Sequence, residues 1–236
     1  MPASNLSNPI SVITLDGLSG SGKSTLARLL AERLGWVYLD SGAWYRAATW
    51  AILQAGRNAS SSSESLAVLS TINLQSHHGG QMSVDGAMLG NELRTPEVDR
   101  AVADVADHLA VRAELTTRMR RLLVTPGIAG VVADGRDAGT VIFPEASLKI
   151  FVEASLQNRA QRRHQQMQDA DVTIDPTEVS VALGERDQRD QARGEFAPRM
   201  SDDGVMFENN SIGVEQAVGC LLELVSATIG DQAVRD

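Results

Sequence analysis

Short apolar runs that end in small or acidic residues recur at Val12–Leu15, Val37–Leu39, Gly130–Ala133, Leu148–Val152 and Val205–Phe207. The stretches between them place apolar residues at helical spacing. Buried strands alternating with amphipathic helices build a parallel sheet with helices on both faces. The pattern predicts an α/β, three-layer fold around a mainly parallel five-stranded sheet. Ligands of such sheets sit beyond the carboxyl ends of the strands. Here those ends carry Asp16, Asp40-Ser41-Gly42, Asp134-Gly135-Arg136-Asp137 and Glu208.

Two segments break the alternation. After Ser60–Ser63, which reads as a surface turn, Leu74–Asp85 has the pattern of a β-hairpin, with a further strand expected at Leu89–Leu93. Residues from about 65 to 104 therefore form an insertion. Later, the polar stretch Asp169–Pro176 joins one arginine-bearing helix to another and is expected to be a mobile connector. At 236 residues and 43% hydrophobic content the chain suits one sizeable core, so residues 1–236 are read as one domain carrying insertions.

Directly after the first apolar run stands Gly17-Leu18-Ser19-Gly20-Ser21-Gly22-Lys23-Ser24-Thr25, the G-x-x-x-x-G-K-[ST] phosphate-binding loop between a strand and a helix. Its glycines let successive backbone N–H groups point at phosphate oxygens, and the helix starting near Gly22 adds the positive end of its dipole. Lys23 is placed to reach the β- and γ-phosphates and Ser24 to offer its hydroxyl to Mg2+. The chain is expected to bind a nucleoside triphosphate.

A net charge of −9 argues against a surface for nucleic acid, which needs many unopposed cations, so phosphate recognition must be local. Of 21 basic residues only Lys23 and Lys149 are lysines; a guanidinium fork suits phosphate, although a codon bias gives the same count. Met1–Asn8 shows no signal-peptide pattern, and no apolar run has the length of a membrane span. Cys220 stands alone in the helical pattern 217–222 and is expected in the core, which excludes a disulfide framework and fits a reducing cytoplasm; a monomer is the default expectation.

Position then decides what the arginines do. Arg46 follows Ser41 by little more than a helical turn at a strand end, which suits a second anion; Ser41 serves equally well as an ordinary helix N-cap. Asp134, at the end of a buried strand, can hold a magnesium water ligand, and Arg136 faces the same crevice. Arg186, Asp190 and Arg193 stand at i, i+4 and i+7, and Arg159, Arg162 and Arg163 form a similar stripe one helix earlier. Each stripe alone reads as a solvated surface more readily than as a site.

Taken together, the phosphate loop with Asp16, Leu39–Arg46, Leu93-Arg94-Thr95, Asp134–Thr140, Lys149-Ile150-Phe151 and Glu185–Asp190 resemble the bacterial cytidylate kinases, which are nucleoside monophosphate kinases with the P-loop kinase fold, over nearly the whole chain. The resemblance implies transfer of the γ-phosphoryl group of ATP to CMP or dCMP with Mg2+, Lys23, Arg136, Arg162 and Asp134 being catalytic. It implies Ser41, Arg46, Arg136 and Arg193 around the CMP phosphate, Arg186 and Asp190 at the ribose, and Arg112 and Asp137 at the cytosine. The insertion would be the monophosphate-binding region, and a mobile lid at about 158–175 would carry Arg159, Arg162 and Arg163. Cytosine shows an amino donor beside ring acceptors, which a carboxylate and a guanidinium complement; uracil reverses the donor.

The chain departs from relatives at Ala103, where they carry a serine that helps bind the base; either Asp104 beside it takes over or the base is held less tightly. Gly194-Glu195-Phe196 also replaces a more apolar link. Three other readings compete. A kinase acting on a hydroxyl needs a carboxylate base, for which Asp16 or Asp40 would serve. A GTP-dependent switch needs an Asn-Lys-x-Asp motif, in which neither lysine lies. A non-catalytic ATP-binding module would bind without turnover.

Overall fold

The structure is a computed structural model that describes residues 10–169 and 173–230. Its strands in chain order are β1 (Ser11–Asp16), β2 (Val37–Asp40), β3 (Leu74–Ser76), β4 (Met82–Val84), β5 (Ala87–Leu89), β6 (Gly130–Gly135), β7 (Leu148–Glu153) and β8 (Val205–Glu208). The helices are α1 (Lys23–Leu34), α2 (Ser41–Gln54), α3 (Ser62–Leu69), α4 (Pro96–Asp107), α5 (Leu109–Arg120), α6 (Leu156–Gln168), α7 (Pro176–Gln191) and α8 (Val214–Ile229). Five strands form one sheet in the order β2-β6-β1-β7-β8, and all neighbouring pairs are parallel.

The sheet is built from residues apolar on both faces because helices cover both. Along β1, Val12 packs with α2 and α5, while Ile13 and Leu15 pack with α1 and α8. Val131 and Ala133 of β6 turn to the first side and Val132 to the second. The α/β three-layer architecture follows, and parallel strands bring Asp16, Asp40, Asp134 and Glu208 to one edge.

β3, β4 and β5 form a separate antiparallel sheet inside the 65–104 segment. The expected strand at Leu89–Leu93 is displaced: β5 ends at Leu89, and Asn91–Arg94 is a 3-10 turn. Asp85 and Gly86, both at positive φ, make a two-residue hairpin turn that starts the return strand at Ala87. The serine run is not a plain turn, because Ser61 caps α3 by accepting from the Glu64 N–H. Cys220 is exposed rather than in the core; α8 turns Ala217, Val218, Leu221 and Val225 inward, and Cys220 falls on the other side. Met1–Asn8 and the middle of the expected connector, residues 170–172, lie outside the described residues.

Candidate active site

A crevice of about 990 Å³ opens beyond the carboxyl ends of the parallel strands, at the upper limit of single-ligand pockets and roomy enough for two nucleotides. Its floor is the loop between β1 and α1. Gly17 sits at φ 151°, where a side chain is strained and a Cβ would collide with the Val152 carbonyl oxygen. The carbonyls of the loop are held from outside: Gly17 accepts from Arg136, Ser19 from Arg159 and Ser21 from both Arg162 and Asn209, at 2.8–3.2 Å. Ser19, Gly20, Gly22, Lys23, Ser24 and Thr25 line the crevice, while Leu18 and the buried Ser21 do not.

Lys23 is buried, and its Nζ makes no ion pair or hydrogen bond among the described residues. Burial, reinforced by Arg136, pushes its ammonium down to about 8. Arg186 is likewise unpaired among the described residues; enclosure by the crevice wall and then Arg136 lower it to about 10. Asp134 and Asp40 lie near Lys23, and Asp190 and Asp99 near Arg186, yet none pairs with them directly, so both cations remain available to an anion in the cleft.

Ser24 Oγ donates to Asp134 Oδ2 at 2.6 Å, and Tyr38 OH donates to Asp134 Oδ1 at 2.7 Å. Burial, then the charge of Asp40, raises the Asp134 carboxyl to about 6. A cation beside Ser24 and Asp134 would relieve that strain. No group of three or more His, Cys, Asp or Glu side chains fit for a metal occurs among the described residues. Mg2+ would thus take its remaining ligands from water and phosphate, as it ordinarily does. Tyr38 was not anticipated. Its ring also supports the short 3-10 turn His78–Gly80 between β3 and β4, since a Cβ on Gly80 would lie 2.7 Å from Tyr38 Cε1.

Asp40, not Ser41, caps α2, accepting from Ala43 N–H at 2.9 Å. Ser41 lines the crevice with its hydroxyl donating to the Asp134 carbonyl at 2.8 Å. Arg46 reaches from α2 to the insertion, donating to the Leu93 carbonyl and to Asp99. Asp190 accepts from Arg136 on one oxygen and from Arg193 on the other, both at 2.8 Å. Burial would raise its carboxyl, but Arg136 and Arg193 outweigh burial and hold it below the usual range. Arg193 lies beyond the end of α7 rather than on its face, and it also pairs with Asp107 at the end of α4.

Arg112 and Asp137 are buried and ion-paired to each other in the crevice wall. Burial raises the Asp137 carboxyl, and Arg112 counters part of the effect. Asp104 does not replace the missing serine: it accepts from Ser60 at 2.6 Å, and Val102, Ala103 and Ala106 are what line the crevice there.

The stripe on α6 is divided. Arg159 is buried against Asp187 and Ser19 and does not line the crevice, so it is a root of the helix rather than a mobile cation. Arg162 donates to the Ser21 and Asn209 carbonyls, and burial lowers its guanidinium. Arg163 faces the crevice, as does Arg94 of the insertion. Periodicity could not separate these roles, because the partners are loop carbonyls.

Comparison with known proteins agrees with this geometry. The family model described as cytidylate kinase matches residues 13–227. The cytidylate kinase of Aeromonas salmonicida is 35% identical over 223 residues, covering 93% of this chain and 96% of that protein. That of Nitrosomonas eutropha is 36% identical over 213 residues, covering 90% and 93%. The crystal structure of TT1252 from Thermus thermophilus shares the fold, with a TM-score of 0.51 at 17% identity over 93% of this chain and 98% of that one. With a matching family model over most of its length and relatives at this identity, the chain belongs to the cytidylate kinase family.

Proposed function

We propose that the protein transfers the γ-phosphoryl group of ATP to CMP or dCMP, giving ADP and CDP or dCDP. The observation that carries the reading is one crevice with the phosphate loop and unpaired Lys23 at one end and the buried Arg112–Asp137 pair at the other. ATP phosphates lie on the loop N–H groups and Lys23. Asp137 accepts from the cytosine amino group and Arg112 donates to a ring acceptor. Ser41, Arg46, Arg136 and Arg193 face the CMP phosphate, and Arg186 and Asp190 lie nearer the ribose.

Ser24, and Asp134 through water, would hold Mg2+, which when bound neutralises charge on the β- and γ-oxygens. No general base is required, because the attacking monophosphate is already largely ionised at pH 7, its second pKa being about 6. The residues of the chain bind, orient and neutralise: Lys23, Arg136 and Arg186 surround the region where the transferring group passes. Closure of the part of α6 that carries Arg162 and Arg163 would exclude water and suppress ATP hydrolysis. We further place the enzyme in the cytoplasm, where its single cysteine, which leaves no partner for an internal disulfide, suits a reducing compartment, and take a monomer as its simplest state.

The hydroxyl-kinase reading loses its first base. Both Asp16 oxygens accept backbone N–H groups of Ala138 and Gly139, and Asp16 is buried away from the crevice lining. The test is ADP formation with ATP and magnesium across CMP, dCMP, UMP, AMP, GMP and no acceptor. Turnover confined to CMP and dCMP is expected; equal turnover of UMP would overturn the base assignment.

A further inference from the structure

Arg112 holds its guanidinium between two rings, with Cζ 4.0 Å from the Phe196 centroid and 5.5 Å from that of Tyr45. Its edges are bound as well: Nη1 donates to the Ala106 carbonyl at 2.9 Å, and Nη2 pairs with Asp137. Nε alone is buried without a partner, at a residue that lines the crevice. A cation stacked on an aromatic face in a desolvated wall gains from the ring quadrupole and loses freedom to tilt.

Phe196 is not core filling. It belongs to none of the hydrophobic clusters, and its neighbours Gly194 and Glu195 are exposed. Its place is set by a 3-10 turn in which Gly194 takes φ 60° and the Phe196 N–H donates to the Arg193 carbonyl at 3.2 Å. Arg193 is in turn fastened to Asp107 and Asp190. The ring over the base-reading cation is thus attached directly to a cation expected at the acceptor phosphate.

We propose that Phe196 is a positioning residue that sets base selectivity, its ring fixing the plane in which Arg112 and Asp137 meet the nucleobase. The proposal rests on the cytidylate reading above. It also ties base recognition to the phosphate site through the turn 194–196, so the link that departs from the family pattern acquires a role.

Steady-state kinetics of Phe196→Leu and Phe196→Tyr with CMP and UMP test it. The leucine variant, similar in bulk but without a ring, should raise the CMP KM about tenfold, keep kcat within about twofold and narrow the CMP-to-UMP ratio about fivefold. Tyrosine should restore all three. An unchanged KM and ratio in the leucine variant, or a tyrosine variant no better than leucine, would overturn the proposal. A substrate-free double-mutant cycle of unfolding with Phe196→Leu and Arg112→Met separates this from the functional reading. Coupling of about fivefold in the unfolding equilibrium supports the stack, and additivity refutes it. Absence of CMP turnover in the unsubstituted protein would defeat the cytidylate reading and the selectivity role together, with the cycle still deciding the contact.

Discussion

On the reading proposed above, the two ends of the crevice recognise phosphate by different means. At the donor end the recognition elements are backbone N–H groups of one short loop, and three arginines serve it from behind by holding the carbonyls of Gly17, Ser19 and Ser21. At the acceptor end recognition falls to long side chains, Arg46 of α2, Arg112 of α5 and, just beyond the ends of β6 and α7, Arg136 and Arg193, each kept in place by a carboxylate or a carbonyl. Backbone donors are fixed by the fold and need little charge. Guanidinium groups are mobile, so the acceptor end spends Asp99, Asp107, Asp137 and Asp190 on orientation.

If that contrast holds, the donor end should depend on very few side chains, and heavily. Lys23→Met removes the ammonium that follows the loop and should lower kcat about 10³-fold, roughly 4 kcal/mol of barrier, with circular dichroism unchanged. A loss under tenfold would mean that the arginines neutralise the donor phosphates too. The acceptor end should fail by losing selectivity. Asp137→Asn presents an amide donor where cytosine shows its amino group, so kcat/KM for CMP should fall about 100-fold and that for UMP much less. Equal losses for both would move the base elsewhere.

Weaker effects sharpen the same comparison. Asp16 and Asp134 sit at about 7 and about 6 in the folded protein, raised chiefly by burial. An unfolded aspartate sits near ~3.9, so between about pH 4 and pH 7 the folded state holds the extra protons and stability falls as pH rises. Denaturant unfolding of the ligand-free protein should show it more stable at pH 5 than at pH 7.5 by up to about 4 kcal/mol, with Asp134→Asn removing about a third of the slope. Smallest, Tyr38→Phe frees one Asp134 oxygen and should raise the Mg2+ concentration for half-maximal rate about fivefold, and weaken Mn2+ binding to the ADP complex alike. No change would leave Asp134 outside the metal site.

The same contrast explains what could be read in advance. The donor loop is contiguous, and its chemistry is written in spacing, as is the sheet, whose strands are apolar on both faces. The acceptor site draws on residues from Ser41 to Phe196, so Arg112 and Asp137 emerge only through a family resemblance. The bonds of Arg159 and Arg162 to the phosphate loop were not legible, because a helical stripe records which face is polar, not which backbone carbonyls lie opposite. Asp85-Gly86 and the Ser61–Glu64 cap were local signals passed over. Tyr38 and Phe196 left no local signal, since each acts across elements distant in sequence.

The rest of Gly80 against Tyr38, whose hydroxyl holds Asp134, puts the insertion and the carboxylate proposed for Mg2+ in mechanical series. In genetic terms, a larger residue at position 80 should behave as a lesion of magnesium use, though it touches no ligand of the ion. Its second-site suppressors should arise at position 38, where a smaller side chain returns the space, and the two positions should vary together through the lineage of this chain.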